Sequence, residues 1–149
     1  MVQQIKEGYE ASAFTYGRHV FQETVTLDGT FKGILFIDSR KIRQSVIQFN
    51  NIGANPLDYK IFATAKYDTA LLSGAIKDPT VINADDPQWI NLLSIIAGQD
   101  GTNYTHTTFK TINSTLRFYE SFSNQWFGVL VQAKSDIGTT CNILHRGQS

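Results

Sequence analysis

Thirteen acidic side chains, three histidines and one cysteine are the groups in this chain that could hold a metal or move a proton, and their spacing decides whether they do. His19, His106 and His145 stand far apart, and none has a partner three or four residues away, the interval that sets two imidazoles on one helical face around zinc. No serine lies in G-x-S-x-G, and neither a glycine-rich phosphate loop nor H-E-x-x-H occurs. Cys141 with a distant histidine would form a thiolate nucleophile, but such a pair can be drawn in most proteins and no local motif supports it. Glu23 and Glu120 would suit a hydrolase only if folding made them face across one cleft. Asp78, Asp85, Asp86 and Asp100, with Asn103, offer oxygens to calcium without the ordered intervals of a calcium loop; capping and turn formation account for Asp86 and Asp100. No catalytic residue, metal site or cofactor is expected, and an enzyme is the least favoured reading.

Binding is the chemistry left. Tyr59, Tyr104, Tyr119 and Trp126 would stack on sugar rings if a sheet presented them, giving a carbohydrate-binding module or adhesin as the alternative function; core packing or subunit contact suits the same side chains. Ser39, Arg40, Lys41, Ile42 and Arg43 form the one basic cluster, and Arg40, Lys41 and Arg43 are candidate contacts for an acidic surface. The 13 basic and 13 acidic side chains cancel, so no general field draws in DNA, RNA or an anionic membrane. No apolar run approaches the roughly 18 to 20 residues of a membrane helix. Met1 to Ala13 is polar and carries Lys6, Glu7 and Glu10, so no signal peptide is expected there, and the sequons Asn103-Tyr104-Thr105 and Asn113-Ser114-Thr115 are read as accidental. A lone cysteine forms no internal disulfide, and Cys141 is expected to be a small buried core residue.

The elements that must carry these residues are mostly strands. Two Trp, six Tyr and ten Phe against three Pro indicate a packed, β-rich body. Residues 1–13 lack periodicity and are read as an extended arm; 14–149 is read as one β-sandwich domain. Phe14 to Leu27 and Phe31 to Asp38 are β-prone, and Asp28-Gly29 between them predicts a two-residue hairpin. Gln44 to Asn50 follows. In the next strand Leu57, Tyr59, Ile61 and Ala63 alternate with Asp58, Lys60, Phe62 and Thr64. Asp86 before Pro87 predicts the start of a helix with Trp89, Leu92, Leu93 and Ile96 on one face and Gly98 as its stop. Tyr104 to Ile112 and Thr115 to Glu120 are further strands. Gln125 to His145 predicts a closing hairpin in which Trp126, Gly128, Leu130 and Gln132 share one face and Phe127, Val129, Val131 and Ala133 the apolar other. About eight strands with one helix define an all-β, antiparallel jelly-roll-like sandwich, since parallel units would need a helix after most strands.

Two segments, Asn50-Asn51-Ile52-Gly53-Ala54-Asn55-Pro56-Leu57-Asp58-Tyr59-Lys60-Ile61 and Gln125-Trp126-Phe127-Gly128-Val129-Leu130-Val131-Gln132-Ala133-Lys134, resemble those of small β-sandwich capsid auxiliary or decoration proteins of tailed-phage virions. The resemblance covers about a third of the chain. It implies a non-enzymatic structural protein on or between capsid subunits, commonly a homo-trimer, with a terminal arm tying neighbours together. The partners would be the major capsid protein or other virion subunits, and the location the virion, assembled in the host cytoplasm. Gln3, Gln4, Ile5, Lys6 and Tyr9 in the arm, with Arg40, Lys41 and Arg43 at the basic corner, are the expected contacts.

Overall fold

Alternation with period two forces each strand to bury one face, and two sheets packed face to face satisfy that demand. The computed structural model describes residues 18–72, 78–96, 101–123 and 125–148. Within them run β1 (Arg18–Leu27), β2 (Lys32–Asp38), β3 (Gln44–Asn51), β4 (Leu57–Thr64), β5 (Ile90–Asn91), the helix α1 (Leu92–Ile96), β6 (Lys110–Ile112), β7 (Arg117–Ser123), β8 (Gly128–Lys134) and β9 (Thr139–Gln148). One sheet, A, has the order β1-β9-β3-β7; the other, B, has β2-β8-β4-β5, with β6 also on β4. Every pairing is antiparallel. The pairs nest, β1 with β9, β2 with β8, β3 with β7 and β4 with β6. A long hairpin of strands rolled around a shared core is a jelly roll, the architecture expected from the sequence.

Neither predicted hairpin forms. Strands β1 and β2 lie in different sheets, as do β8 and β9, so Asp28-Gly29 and Ser135 to Gly138 carry the chain across the sandwich. The two crossings brace each other: the Ser135 amide donates to the Asp28 carbonyl at 2.7 Å. Turn residues specify a reversal; burial of distant strands selects the partner. Gly138 takes φ +100°, a conformation suited to glycine, at the second crossing.

The inter-sheet core sets Ile47, Phe49, Cys141 and Ile143 from sheet A against Ile37, Tyr59, Ile61 and Val131 from sheet B. Phe49 stacks on Tyr59 with ring centroids 4.4 Å apart. A second cluster lies on the other face of sheet B, where Phe36, Phe62 and Leu130 are covered by Leu71, Ala84, Trp89 and Phe127. The long β4–β5 connection supplies most of that cover. It also explains why β8 is buried on both faces through Leu130, and why Trp126, packed against the inter-sheet core, does not share the Leu130 environment.

The same connection displaces the helix from its expected start. Asp86 accepts from the Gln88 amide at 3.1 Å and opens a turn, while Asn91 Oδ1 accepts from the Leu93 amide at 3.0 Å at the head of α1. Trp89 therefore precedes the helix and joins the outer cluster, whereas Leu92 and Leu93 enter the inter-sheet core. The expected stop, Gly98, lies outside the described residues. Tyr104 to Ile112 contributes a strand only over its last three residues. Its earlier part is held as a loop by Asn91, whose Nδ2 donates at 2.8 Å to the carbonyls of both His106 and Thr108.

Candidate interaction surface

Buried polar groups come first, because they decide whether the interior holds reactive chemistry or structural bonds. Asp38 caps the 3-10 turn Ser39–Lys41 and takes a fork of two bonds from Arg40, Nε at 2.8 Å and Nη2 at 2.6 Å. Glu120, on β7, accepts from Lys110 Nζ through both oxygens at 2.9 Å. His145 lies between the sheets with Nε2 2.7 Å from the Ser45 hydroxyl. The Tyr59 hydroxyl is buried without a hydrogen-bond partner among the described residues. Burial first, and then the Glu120 carboxylate, raise its proton affinity well above that of an ordinary phenol.

These placements keep Cys141 apart from His145 and Glu23 apart from Glu120. Burial pushes the Cys141 thiol up to about 11, so it stays protonated at neutral pH. It shares the inward face of β9 with His145 but stands four residues away, roughly 13 Å along a strand. Glu23 and Glu120 do not meet: β1 and β7 are the opposite edges of sheet A, with β9 and β3 between them. His106 is a brace, with Nδ1 2.9 Å from the Tyr104 hydroxyl and Nε2 2.9 Å from the Ala84 carbonyl. No group of three or more metal-ligating side chains occurs among the described residues. Asp78 instead caps the 3-10 turn Pro79–Val81, and Asp100 lies outside the described residues. No helix among those residues is long and apolar enough to cross a membrane.

The basic corner is more rigid than its sequence suggests. Arg40 is turned back onto Asp38, with its guanidinium carbon 6.0 Å from the centre of the Phe127 ring. The Arg43 amide donates to Gln148 at 2.7 Å while its side chain is exposed. The Lys41 side chain lies outside the description, as do Gln3, Gln4, Ile5, Lys6 and Tyr9. Of the four aromatics considered for sugar stacking, Tyr59 is fully buried, Trp126 packs on the core, and the Tyr104 hydroxyl accepts from the Asn91 amide at 2.7 Å. Only Tyr119 is open to solvent, at 62%.

Two surface features were not singled out in the sequence. On the outer side of sheet B, Lys60 Nζ sits 4.1 Å and Lys134 Nζ 5.1 Å from the centre of the Phe31 ring. Burial lowers the Lys60 pKa; nearby Asp85 opposes that shift and Lys134 adds to it. The second feature is the start of β7, where Leu116 (53%), just before the strand, and Phe118 (46%) and Tyr119 on it stand exposed along the margin of sheet A. The run Leu116 to Tyr119 breaks strict alternation, with apolar side chains on both parities, and that was the available signal. A shallow groove of about 300 Å³ lies at the far end of β7, lined by Gln44, Ser45, Val46, Ser121, Phe122 and Ser123.

No protein-family model and no curated protein matches the chain. Solved structures do match. PirA is 9% identical with a TM-score of 0.47, over 82% of this chain and 90% of that one. A protein of Bacillus endospore appendages, described as a family of disulfide-linked pili, is 8% identical with a TM-score of 0.42, over 88% and 86%. The SPBc2 prophage-derived protein YomS is 9% identical with a TM-score of 0.42, over 87% and 95%. Viral jelly-roll and coat proteins are also among the matches. At such identities the likeness is one of fold.

Proposed function

We propose that this chain is a non-enzymatic structural protein of a tailed-phage virion, a capsid decoration or auxiliary protein that binds and stabilises the head. The observation that carries the reading is how the buried ionisable groups are used. Asp38, Glu120 and His145 each sit in a bond that fixes the fold, while Leu116, Phe118 and Tyr119 are exposed to solvent. A molecule built this way works by covering surface, and repeated weak contacts on a shell add up through multivalency. The segments Asn50 to Ile61 and Gln125 to Lys134 support the same reading by their resemblance to phage auxiliary proteins.

In this function the partner is the major capsid protein or another virion subunit, and the assembly a homo-trimer whose residues 1–13 reach a neighbour. Gln3, Gln4, Ile5, Lys6 and Tyr9 make the arm contact, with Lys41 and Arg43 as the contact cations of the corner and Arg40 held on Asp38. Phage heads lacking their auxiliary protein provide the test. The full chain should co-sediment with them at saturating, symmetric occupancy, and deletion of residues 1–13 or Arg43→Glu should lower that occupancy severalfold. Unchanged occupancy in both variants removes the arm and corner from the mechanism, and no binding by the full chain removes the function.

A further inference from the structure

A lysine amine is inert at neutral pH because it is protonated, and a carboxylate beside it or water around it keeps it so. Three lysines of this chain hold a carboxylate: Lys32 on Asp28 at 3.6 Å, Lys110 on Glu120 at 2.9 Å and Lys134 on Asp136 at 3.0 Å. Lys66 is open to water. Lys60 has neither, being half-buried and without an ion-pair partner among the described residues. It lies on β4, which has β8 on one side and β5 and β6 on the other, and the inward row of Leu57, Tyr59 and Ile61 turns it onto the outer face of sheet B. There its Nζ is 4.1 Å from the centre of the Phe31 ring, and Lys134 Nζ is 5.1 Å from the same centre. A ring attracts an ammonium but does not hydrate it, and a second ammonium repels it. The nearby acids are engaged elsewhere: Asp58, on the same face of β4, accepts from Thr111 Oγ1 at 2.6 Å, and Asp136 is taken by Lys134. Asp85, on the β4–β5 connection, favours the charged amine, but burial outweighs it and Lys134 acts in the same direction as burial, so the proton affinity of Lys60 is lowered.

We propose that Lys60 is an acylation site whose amine takes an acyl group from activated acyl donors of the thioester class. The free Nζ attacks the thioester carbonyl carbon, the N–C bond forms as the C–S bond breaks, and the proton that the nitrogen loses ends on the departing thiolate. Acylation suits this position better than methylation, because it removes the charge that Lys134 opposes whereas a methylated amine keeps it. The acyl chain also has an apolar surface to rest on. Phe109, 49% exposed, packs against Phe31 with ring centroids 6.1 Å apart, beside the amine. The site is independent of the virion reading and belongs to the free protein.

Treating the folded full chain with a small acetyl thioester, and following each lysine by peptide mass spectrometry, tests the site. Near neutral pH, Lys60 should gain its acetyl group severalfold faster than Lys66, Lys110 and Lys134. Its lead should shrink as the pH approaches about 10.4, where an ordinary lysine is itself half deprotonated. In concentrated urea the lead should vanish, a control that requires no variant to fold. Lys134→Met keeps an apolar stem and removes the neighbouring charge, so it should reduce the lead of Lys60, whereas Lys66→Met should leave it unchanged; circular dichroism confirms that both variants are folded. Acetylation of Lys60 no faster than that of Lys66 in the folded chain, a lead that persists in urea, or a lead unaltered by Lys134→Met would overturn the proposal.

Discussion

Lys110 and Glu120 join the two sheets at their open side. Lys110 lies on β6 of sheet B, Glu120 on the edge strand of sheet A, and the ammonium meets both carboxylate oxygens at 2.9 Å. The carboxylate is almost fully buried, with 8% of its side chain exposed, while the lysine keeps 36%. Removing the lysine alone therefore leaves a buried charge without its partner. We expect Lys110→Ala to cost about 2–3 kcal/mol, below the range for a fully dry pair because water still reaches the amine. The double variant Lys110→Met, Glu120→Leu should recover most of the loss, since desolvating the pair offsets much of its attraction. Urea denaturation of the three proteins checks this; a double variant no more stable than Lys110→Ala would mean that the pair itself supplies the stability.

Asn91 ties together the cover of sheet B. It is completely buried and spans four groups through donors, acceptor and amide: the carbonyls of His106 and Thr108, the Leu93 amide and the Tyr104 hydroxyl. Asn91→Ala leaves the two carbonyls and the Leu93 amide unsatisfied, so we expect a loss of about 3 kcal/mol or more. Asn91→Asp should fare no better at neutral pH, where a carboxylate would face two carbonyl oxygens. Limited proteolysis should then cut between residues 101 and 109 before any other described loop opens; cleavage elsewhere first would place the weak point outside this clamp.

Thr115 sits at φ 65° in the turn between β6 and β7, a left-handed conformation that is strained for a β-branched residue. Asparagine tolerates that region far better. Thr115→Asn should stabilise the protein by about 0.5–1 kcal/mol, or about 1–4 °C in Tm. Thr115→Val, which keeps the branch, should bring no gain. Differential scanning calorimetry distinguishes them, and equal Tm values for the asparagine and valine variants would show that the strain has been relieved elsewhere.

Which parts of this architecture could be read from sequence follows from the range of the forces involved. The row Leu57, Tyr59, Ile61 and Ala63 faces inward as its alternation required, and Cys141 and Ile143 are buried as expected. Such patterns are local and fix which face of a strand is dry. They do not name the partner strand, which is why Asp28-Gly29 and Ser135 to Gly138 read as hairpins and act as crossings. The outer cluster was illegible for a related reason: Phe36, Phe62 and Leu130 become a second core only when the β4–β5 connection folds across sheet B. Arg40 looked like a free cation because the buried carboxylate of Asp38, two residues away, is invisible to composition. The exposed β7 margin was written in the sequence as a lapse in alternation at Leu116 to Tyr119, a signal weaker than the strand pattern around it.

Glu23 provides a pH dependence with a definite sign. It lies on the inward row of β1, opposite Ile143 on β9, and burial raises its pKa above the ordinary 4.5. The folded chain then binds the Glu23 proton more tightly than the unfolded chain does. Between 4.5 and the raised value the native state carries more protons, so through this group stability falls as pH rises across that window and stays lower above it. The shift is the reverse of the salt-bridged carboxylate case, in which stability is lost on acidification. Glu23→Gln removes the charge but keeps the shape, and should be more stable than the wild type near neutral pH while matching it at the acid end of the window. Denaturant midpoints measured in steps from pH 4 to pH 7 would test this. A glutamine variant that runs parallel to the wild type across the whole series would mean that Glu23 is solvated in the folded protein and that burial does not set its proton affinity.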